Sequence, residues 1–283
     1  MSVLDNARRA AEERQARIVF PEIEVPRVAE AVGRLRREGL CVPVELRAPG
    51  GELAAALAEL RGLKPAIARR MVSRPLFRAA AMVALGEADT MVAGAEVPTR
   101  RVIEAASIAL GLADGVSKSS SFFLMVFPDG REMIFADCAV NVAPDADVLT
   151  DIAKSSADTA RALLGEARVA LLSFSTGSSG EGDSVKVVRQ VAKRTGFAGP
   201  LQADAALNPV VARTKGVEPI DPNVLVFPSL DAGNIAYKLC RELAGAQAIG
   251  PFLQGFRRPV CDLSRGASAQ DIVDATILTA AQV

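Results

Sequence analysis

Arg17-Ile-Val-Phe-Pro-Glu22, Pro26-Arg-Val-Ala-Glu-Ala-Val-Gly-Arg-Leu-Arg-Arg37 and Val42-Pro-Val-Glu-Leu46 are three consecutive runs whose periodicities decide the fold class. The first is a short apolar run of the length of a buried strand. The second opens on Pro26, which suits a first helical turn because its missing N–H would have had no partner there. It places Val28, Ala31, Val32 and Leu35 on one helical face, and Gly39 ends it. The third run reads as another strand. Helix alternating with strand in this way is the pattern of a parallel sheet covered by helices.

The same alternation continues outward. Val3 to Ala16 reads as a charged surface helix, and Pro49-Gly50-Gly51 as a turn. Helices are expected at 52–60 and 65–85, with Arg61 between them, then a buried strand at Asp89-Thr-Met-Val-Ala-Gly94 and a helix from about Thr99. That helix carries Arg100 and Arg101 in its first turn, where cations oppose the helix dipole unless they hold something; a solvated surface pair is the plainer reading. From Gly111 to Ser121 the pattern changes, and a second domain is expected to begin. Phe122 to Pro128 and Glu132 to Asp137 predict a hairpin closed by a two-residue Asp129-Gly130 turn. A helix at 145–164, a strand at Arg168–Phe174 and a helix at 183–195 follow. Pro200–Asp204 reads as a strand end bearing a carboxylate, followed by a helix at 205–213. The remaining expectations are a strand at Val224–Pro228, an Asp231–Asn234 cap on a helix at 235–244, and a strand at Ala246–Phe252.

Composition removes several function classes. Half of the 283 residues are hydrophobic, aromatics are only 4%, and Trp is absent, so the core rests on Ala, Val, Leu and Ile. Lys plus Arg and Asp plus Glu balance at 33 each, which speaks against nucleic acid or an anionic membrane as partner. There is no His, so Ser-His-Asp catalysis, Cys-His catalysis and His-ligated metal sites are all impossible within this chain. Cys41, Cys138, Cys240 and Cys261 are scattered without C-x-x-C spacing and read as reduced thiols of a cytoplasmic protein. Residues 1–17 are charged, so no signal peptide is expected there, and no uncharged run reaches the roughly 18 residues of a membrane span.

Two segments have the chemistry of a site. In Asp262-Leu-Ser-Arg-Gly-Ala-Ser-Ala-Gln-Asp271 a hydroxyl (Ser264) and a guanidinium (Arg265) sit just ahead of a helical pattern. Free N–H groups at a helix start beside an Arg form a receptor for a phosphate-like anion, with Asp271 in the first turn. The same residues also read as a capping box, Ser268-x-x-Asp271, which requires no function. The second segment is Ser175-Thr-Gly-Ser-Ser-Gly-Glu-Gly182, between a strand and a helix. Ser175, Thr176, Gly177 and Ser178 there could present backbone N–H groups to an anion, or form a plain flexible loop; neither a Walker sequence nor G-x-G-x-x-G is present.

Taken together, Asp89-Thr-Met-Val-Ala-Gly94, Phe135-Ala-Asp-Cys138, Leu172-Ser-Phe-Ser-Thr-Gly177, Leu201-Gln-Ala-Asp-Ala205, Val226-Phe-Pro228, Gly233-Asn-Ile-Ala-Tyr-Lys238, Ile249-Gly-Pro251 and Leu263-Ser-Arg-Gly266 resemble the phosphate acyltransferases, specifically phosphate acetyltransferase, in order and spacing over residues 60–283. The resemblance implies reversible acyl transfer, acetyl-CoA plus phosphate giving CoA plus acetyl phosphate, with CoA as substrate and no cofactor or metal. It implies an α/β fold of two domains, each a mainly parallel sheet flanked by helices, similar to the isocitrate and isopropylmalate dehydrogenases, with the active site in the cleft between them. The domains would be 1–116 plus 254–283, and 117–253, the second dimerising in a homodimer. By position Asp271 matches the family's proposed general base, Ser264 and Arg265 its transition-state and phosphate-binding residues, and Arg61 an arginine assigned to substrate binding.

Two family arginines are displaced. One falls on Glu104, with Arg100 and Arg101 as nearest substitutes; another falls on Glu242, with Arg241 adjacent. One residue along a helix rotates a side chain by about 100°. The chemistry implied is direct attack of the CoA thiol on acetyl phosphate in a ternary complex, Arg265 holding phosphate as a fork and Ser264 donating to the oxyanion. An ordinary carboxylate and a thiol differ by roughly 4–5 pKa units, so a base such as Asp271 would need a desolvated setting. Three alternatives remain open: a longer-chain acyltransferase such as a butyryl enzyme; a regulatory domain of the malic-enzyme-associated type, against which the retained Ser264, Arg265 and Asp271 argue; and a metal-dependent decarboxylating dehydrogenase, for which no acidic metal cluster with a dinucleotide loop is found.

Overall fold

The computed structural model describes residues 2–283 and divides into two compact units, Met1–Asp114 with Gly250–Val283, and Gly115–Ile249. The first contains α1 (Val3–Arg14), β1 (Arg17–Val19), α2 (Pro26–Arg37), β2 (Val42–Val44), α3 (Gly51–Arg61), α4 (Pro65–Val72), α5 (Pro75–Ala84), β3 (Thr90–Ala93) and α6 (Thr99–Ala109). The second contains β4 (Ser120–Val126), β5 (Glu132–Ala136), α7 (Ala146–Leu164), β6 (Val169–Leu172), α8 (Asp183–Thr195), β7 (Ala198–Leu201), α9 (Ala203–Leu207), α10 (Pro209–Thr214), β8 (Val224–Val226) and α11 (Leu230–Ala244). The chain re-enters the first unit within β9 (Gln247–Gln254) and ends with β10 (Val260–Asp262) and α12 (Ala269–Ala280).

In the first unit β2, β1, β3 and β10 are parallel neighbours, and β9 pairs antiparallel with β10. The apolar face of α2, Val28, Ala31, Val32 and Leu35, is buried as its spacing requires. β10, absent from the expectations drawn from sequence, pairs with β3 in the register Val260↔Met91, Cys261↔Val92 and Asp262↔Ala93. Three residues are too few to show a period, so only the partner strand reveals it.

In the second unit β4 and β5 form an antiparallel hairpin, while β5, β8, β6 and β7 run parallel. The hairpin loop has three residues rather than two. Phe127 N donates to Arg131 O at 2.9 Å and Gly130 N returns to Phe127 O, leaving Pro128-Asp129-Gly130 as the loop with Gly130 at φ +86°. A three-residue loop with glycine in the left-handed position is the next most common hairpin closure.

Proline and capping chemistry move other boundaries. The expected 65–85 helix is two helices, because Arg74 before Pro75 takes an extended conformation and Pro75 starts α5. Pro209 likewise separates α9 from α10, with Asn208 accepting from Val210 N and Val211 N. Asp204 lies in α9, not at a strand end, and pairs with Lys215 at 2.7 Å. α11 begins at Leu230 because the Ser229 hydroxyl caps Ala232 N, which supersedes a cap at Asp231–Asn234. α11 lies against the loop after β5 at Gly233, where a Cβ would be 2.3 Å from Asp137 O.

Candidate active site

The parallel strands of the first unit bring the ends of β1, β3 and β10 to one edge, the usual ligand rim of an open α/β sheet. The loop after β3 hangs on a single carboxylate. Glu22 Oε2 accepts from Gly94 N and Ala95 N, and Oε1 accepts from Glu96 N and Val97 N, all between 2.7 and 2.9 Å. Arg27, on α2, donates through Nη2 to Ala95 O at 2.6 Å and to Arg265 O at 3.2 Å. The segments after β3 and β10 are thus laced side by side, and Leu263 N adds a bond to Ala93 O at 2.6 Å.

On that frame Ser264, Arg265 and Gly266 form an exposed turn, closed by Ala267 N donating to Ser264 O at 2.9 Å. Asp271 completes the capping box of α12: its Oδ2 accepts from Ser268 N (2.9 Å) and Ser268 Oγ (2.8 Å), while Asp271 N donates to Ser268 Oγ. The side chain is exposed. The capping reading of Ser268-x-x-Asp271 is therefore realised, and Oδ1 is the oxygen outside it.

Directly ahead of the turn stands Asp262, with no exposed surface. Neither carboxylate oxygen has a hydrogen-bond partner. Strand alternation sends it away from its neighbour Cys261, toward the start of α6, where the Thr99 hydroxyl is close enough to oppose part of the effect of burial on its ionisation. Burial, assisted by the negative charge of Glu22, raises its pKa to about 7. Gly94, at φ +100°, makes this placement possible, since a Cβ there would be 2.4 Å from Asp262 Oδ1.

Arg100 and Arg101 are exposed in the first turn of α6, and Arg101 pairs with Glu104 at 2.6 Å. Arg101 also lines a cavity of about 350 Å³ with Glu22, Arg74, Phe77, Glu96 and Val97, the Arg74 guanidinium lying 5.5 Å from the Phe77 ring centre. Arg61 is not on this rim. It ends α3, donates through Nε to Ile108 O, and packs its guanidinium against Gly111. That is the C-terminal end of α6, whose 11 residues separate it from Arg100 and Arg101 by about 16 Å. Favourable attraction to the carbonyls at a helix C-terminus accounts for its placement.

Arg241 and the 175–182 loop belong to the other unit. Arg241 lies on α11 and contacts Glu242 at 3.4 Å. The loop is tied mainly to itself: Gly180 N donates to Ser175 Oγ, Thr176 N to Ser179 Oγ, Ser175 N to Ser173 Oγ, and Gly177 N to Pro200 O. Cys41, Cys138 and Cys261 are buried and Cys240 partly so, all as free thiols. Burial pushes the Cys41 thiol up to about 12 and raises the other three, so none is primed as a nucleophile.

Sequence reasoning passed over Glu22, Arg27 and Asp262. Glu22 ends the first strand run, and Asp262 ends an apolar run ahead of Ser264-Arg265. An acidic residue in that position is a signal for the carboxyl-end rim, though not for burial.

Residues 49–280 match the family model described as phosphate acetyl/butaryl transferase. The chain belongs to this family. Its membership makes it an acyltransferase, and its Leu263-Ser-Arg-Gly266 turn lies on the strand-end rim of the α/β fold. Over its whole length the acyltransferase is 41% identical to a phosphate acetyltransferase of Paracoccus denitrificans, covering 99% of that protein. Its structure is similar to a phosphotransacetylase from Streptococcus pyogenes (TM-score 0.93, 33% identity, 99% and 97% of the two chains covered) and to one from Staphylococcus aureus (0.88, 32%, 99% and 98%). No helix among the described residues is long and apolar enough to cross a membrane, and no group of three or more metal-ligating side chains occurs among them.

Proposed function

We propose that this acyltransferase moves an acetyl group reversibly between CoA and inorganic phosphate in the cytoplasm, without a cofactor. The observation that carries the assignment is the full-length similarity to phosphate acetyltransferase, with Leu263-Ser-Arg-Gly266 intact and its turn exposed. Acetyl phosphate is already an activated acyl donor, so the protein has to bring a thiolate to its carbonyl and stabilise the charge that moves onto oxygen.

The Arg265 guanidinium binds the phosphate as a two-pronged donor, aided by the α6 start and its Arg100 and Arg101, while the Ser264 hydroxyl donates to the developing oxyanion. Arg61, Arg241 and the Ser175-Thr176-Gly177-Ser178 segment are the further substrate contacts implied by family position. Asp271 is the base implied by family position, with Oδ1 free of the capping box.

A homodimer is part of the same proposal, and α11 supplies its surface. Ile235, Leu239 and Leu243 are 57%, 51% and 81% exposed and form one stripe along the helix. The stripe is symmetric about Leu239: an antiparallel copy across a two-fold axis sets Ile235 against Leu243 and Leu239 against itself, the self-complementarity an isologous contact requires.

The test is CoA-dependent formation of acetyl phosphate from acetyl-CoA and phosphate, compared with propionyl- and butyryl-CoA. Acetyl-CoA should be turned over with the highest kcat/KM; absence of any acyl phosphate product refutes the proposal. Arg265→Gln should raise KM for phosphate and acetyl phosphate by at least about tenfold, the loss of one charge-assisted pair. Unchanged KM values for both would remove Arg265 from the phosphate site.

A further inference from the structure

We infer that Arg27 is the positioning residue of the phosphate turn, setting where the Arg265 guanidinium stands by holding its backbone. This rests on the acetyl-transfer reading above, with Arg265 as the phosphate donor, and adds to that site a residue from near the other end of the chain.

The turn has little of its own to hold it. Ser264, Arg265 and Gly266 are exposed, and a Cβ on Gly266 would meet nothing within 4 Å. Leu263 N on Ala93 O anchors the chain ahead of it, and Ala267 N on Ser264 O closes it. Among the described residues Arg265 itself makes a single hydrogen bond, its carbonyl oxygen accepting from Arg27 Nη2 at 3.2 Å. A long side chain on an exposed turn has many rotamers, and freedom left in the backbone beneath it adds to the entropy lost when it grips an anion. Fixing the Arg265 carbonyl removes part of that loss before phosphate arrives.

The same nitrogen sets the register. Arg27 Nη2 also donates to Ala95 O at 2.6 Å, while Ala95 N donates to Glu22 at 2.9 Å. Ala95 is thus held at both its N–H and its C=O by side chains of one short segment, and Arg265 is tied to the point so defined. That segment leads into a firmly packed helix. Val28, Ala31, Val32 and Leu35 bury one face of α2, and Arg34, about two turns on, donates through Nη2 to Gln270 of α12 at 2.7 Å. The start and middle of α2 therefore grip the chain on both sides of the exposed turn, at Arg265 and at Gln270.

As a mere strut Arg27 would be a costly choice. It stands in the first turn of α2, where a cation opposes the helix dipole. Its Nε is buried without a hydrogen-bond partner, and among the described residues its guanidinium forms no ion pair. A residue that breaks local rules in this way beside a binding turn is one kept for function. The planar guanidinium presents two N–H groups from one nitrogen at a fixed angle, one for each carbonyl, which an ammonium on a shorter stem does not reproduce.

The experiment is steady-state kinetics in both directions on the wild type, Arg27→Gln, Arg27→Lys, Arg265→Gln and the two Gln substitutions combined. Both Arg27 variants should raise KM for phosphate and acetyl phosphate by at least about fivefold and leave KM for CoA and acetyl-CoA within about twofold, since the lost contact serves the Arg265 end of the site. The combined variant should exceed Arg265→Gln in phosphate KM by no more than about twofold, because one residue acts through the other. A rise equal to the product of the single effects overturns the inference. So does an Arg27→Lys enzyme with the wild-type phosphate KM, in which charge alone suffices. Equal losses on all four substrates would reduce Arg27 to a strut and overturn it as well. Should Arg27→Gln fail to fold, Arg27→Lys takes its place throughout. Wild-type values in the Arg27 variants beside a raised KM in Arg265→Gln refute this inference alone. An unchanged KM in Arg265→Gln, or a wild type without acetyl transfer, refutes the functional reading of the turn and this inference with it.

Discussion

Replacing Asp262 by Asn should change stability in a way that depends on pH, with a magnitude set by its burial. In the unfolded chain its carboxyl has a pKa near 3.8; in the fold it rises to about 7. The sign follows from proton linkage: between those values the folded state binds more protons, so stability falls as pH rises through the window. The full cost of ionising Asp262 in place is about 4 kcal/mol, of which about 2.5 kcal/mol accrues between pH 5 and pH 8. Asn cannot ionise and carries none of this dependence. A buried amide brings its own unmet hydrogen bonds, but that offset is the same at both pH values. Urea denaturation of both proteins at pH 5 and pH 8 should show Asp262→Asn gaining about 2.5 kcal/mol on the wild type over that interval. A difference between the two proteins that is independent of pH would mean that Asp262 titrates normally, and the desolvation reasoning would fail.

Two other perturbations test the frame and the assembly. Glu22→Gln leaves one acceptor oxygen for four backbone N–H groups and turns an amide toward two of them. It should cost about 2–3 kcal/mol and open the 94–97 loop to proteolysis, and an unchanged unfolding midpoint would show that the loop holds itself. Leu239→Glu sets like charges face to face on the α11 two-fold axis and should weaken self-association by at least about 100-fold in analytical ultracentrifugation. If this variant sediments as the wild type does, α11 is not the dimer surface.

Periodicity made the helices and most strands of this α/β chain legible, because burial of one face leaves a 3.6-residue or short apolar imprint on sequence. α2 and α8 begin and end where Pro26 and Gly196 place them. Errors arose where local chemistry overrode the run: Pro75 and Pro209 each split one expected helix, Ser229 started α11 early, and Gly130 fitted a longer turn. The Ser264-Arg265 turn was visible as a motif because hydroxyl, guanidinium and glycine are adjacent in the chain.

The site's supporting carboxylates were not legible, since burial and pairing are made by segments far apart in sequence. Glu22 meets residues more than 70 positions later, and Arg27 reaches Arg265 across 238. Arg61 shows the converse: chosen by motif position, it is held by the far end of α6. By itself the sequence determined which residues could do chemistry, because side-chain type is local. Only the tertiary structure decided which carboxylate is capped in water and which is stripped of it, because desolvation depends on every neighbour that packing brings close.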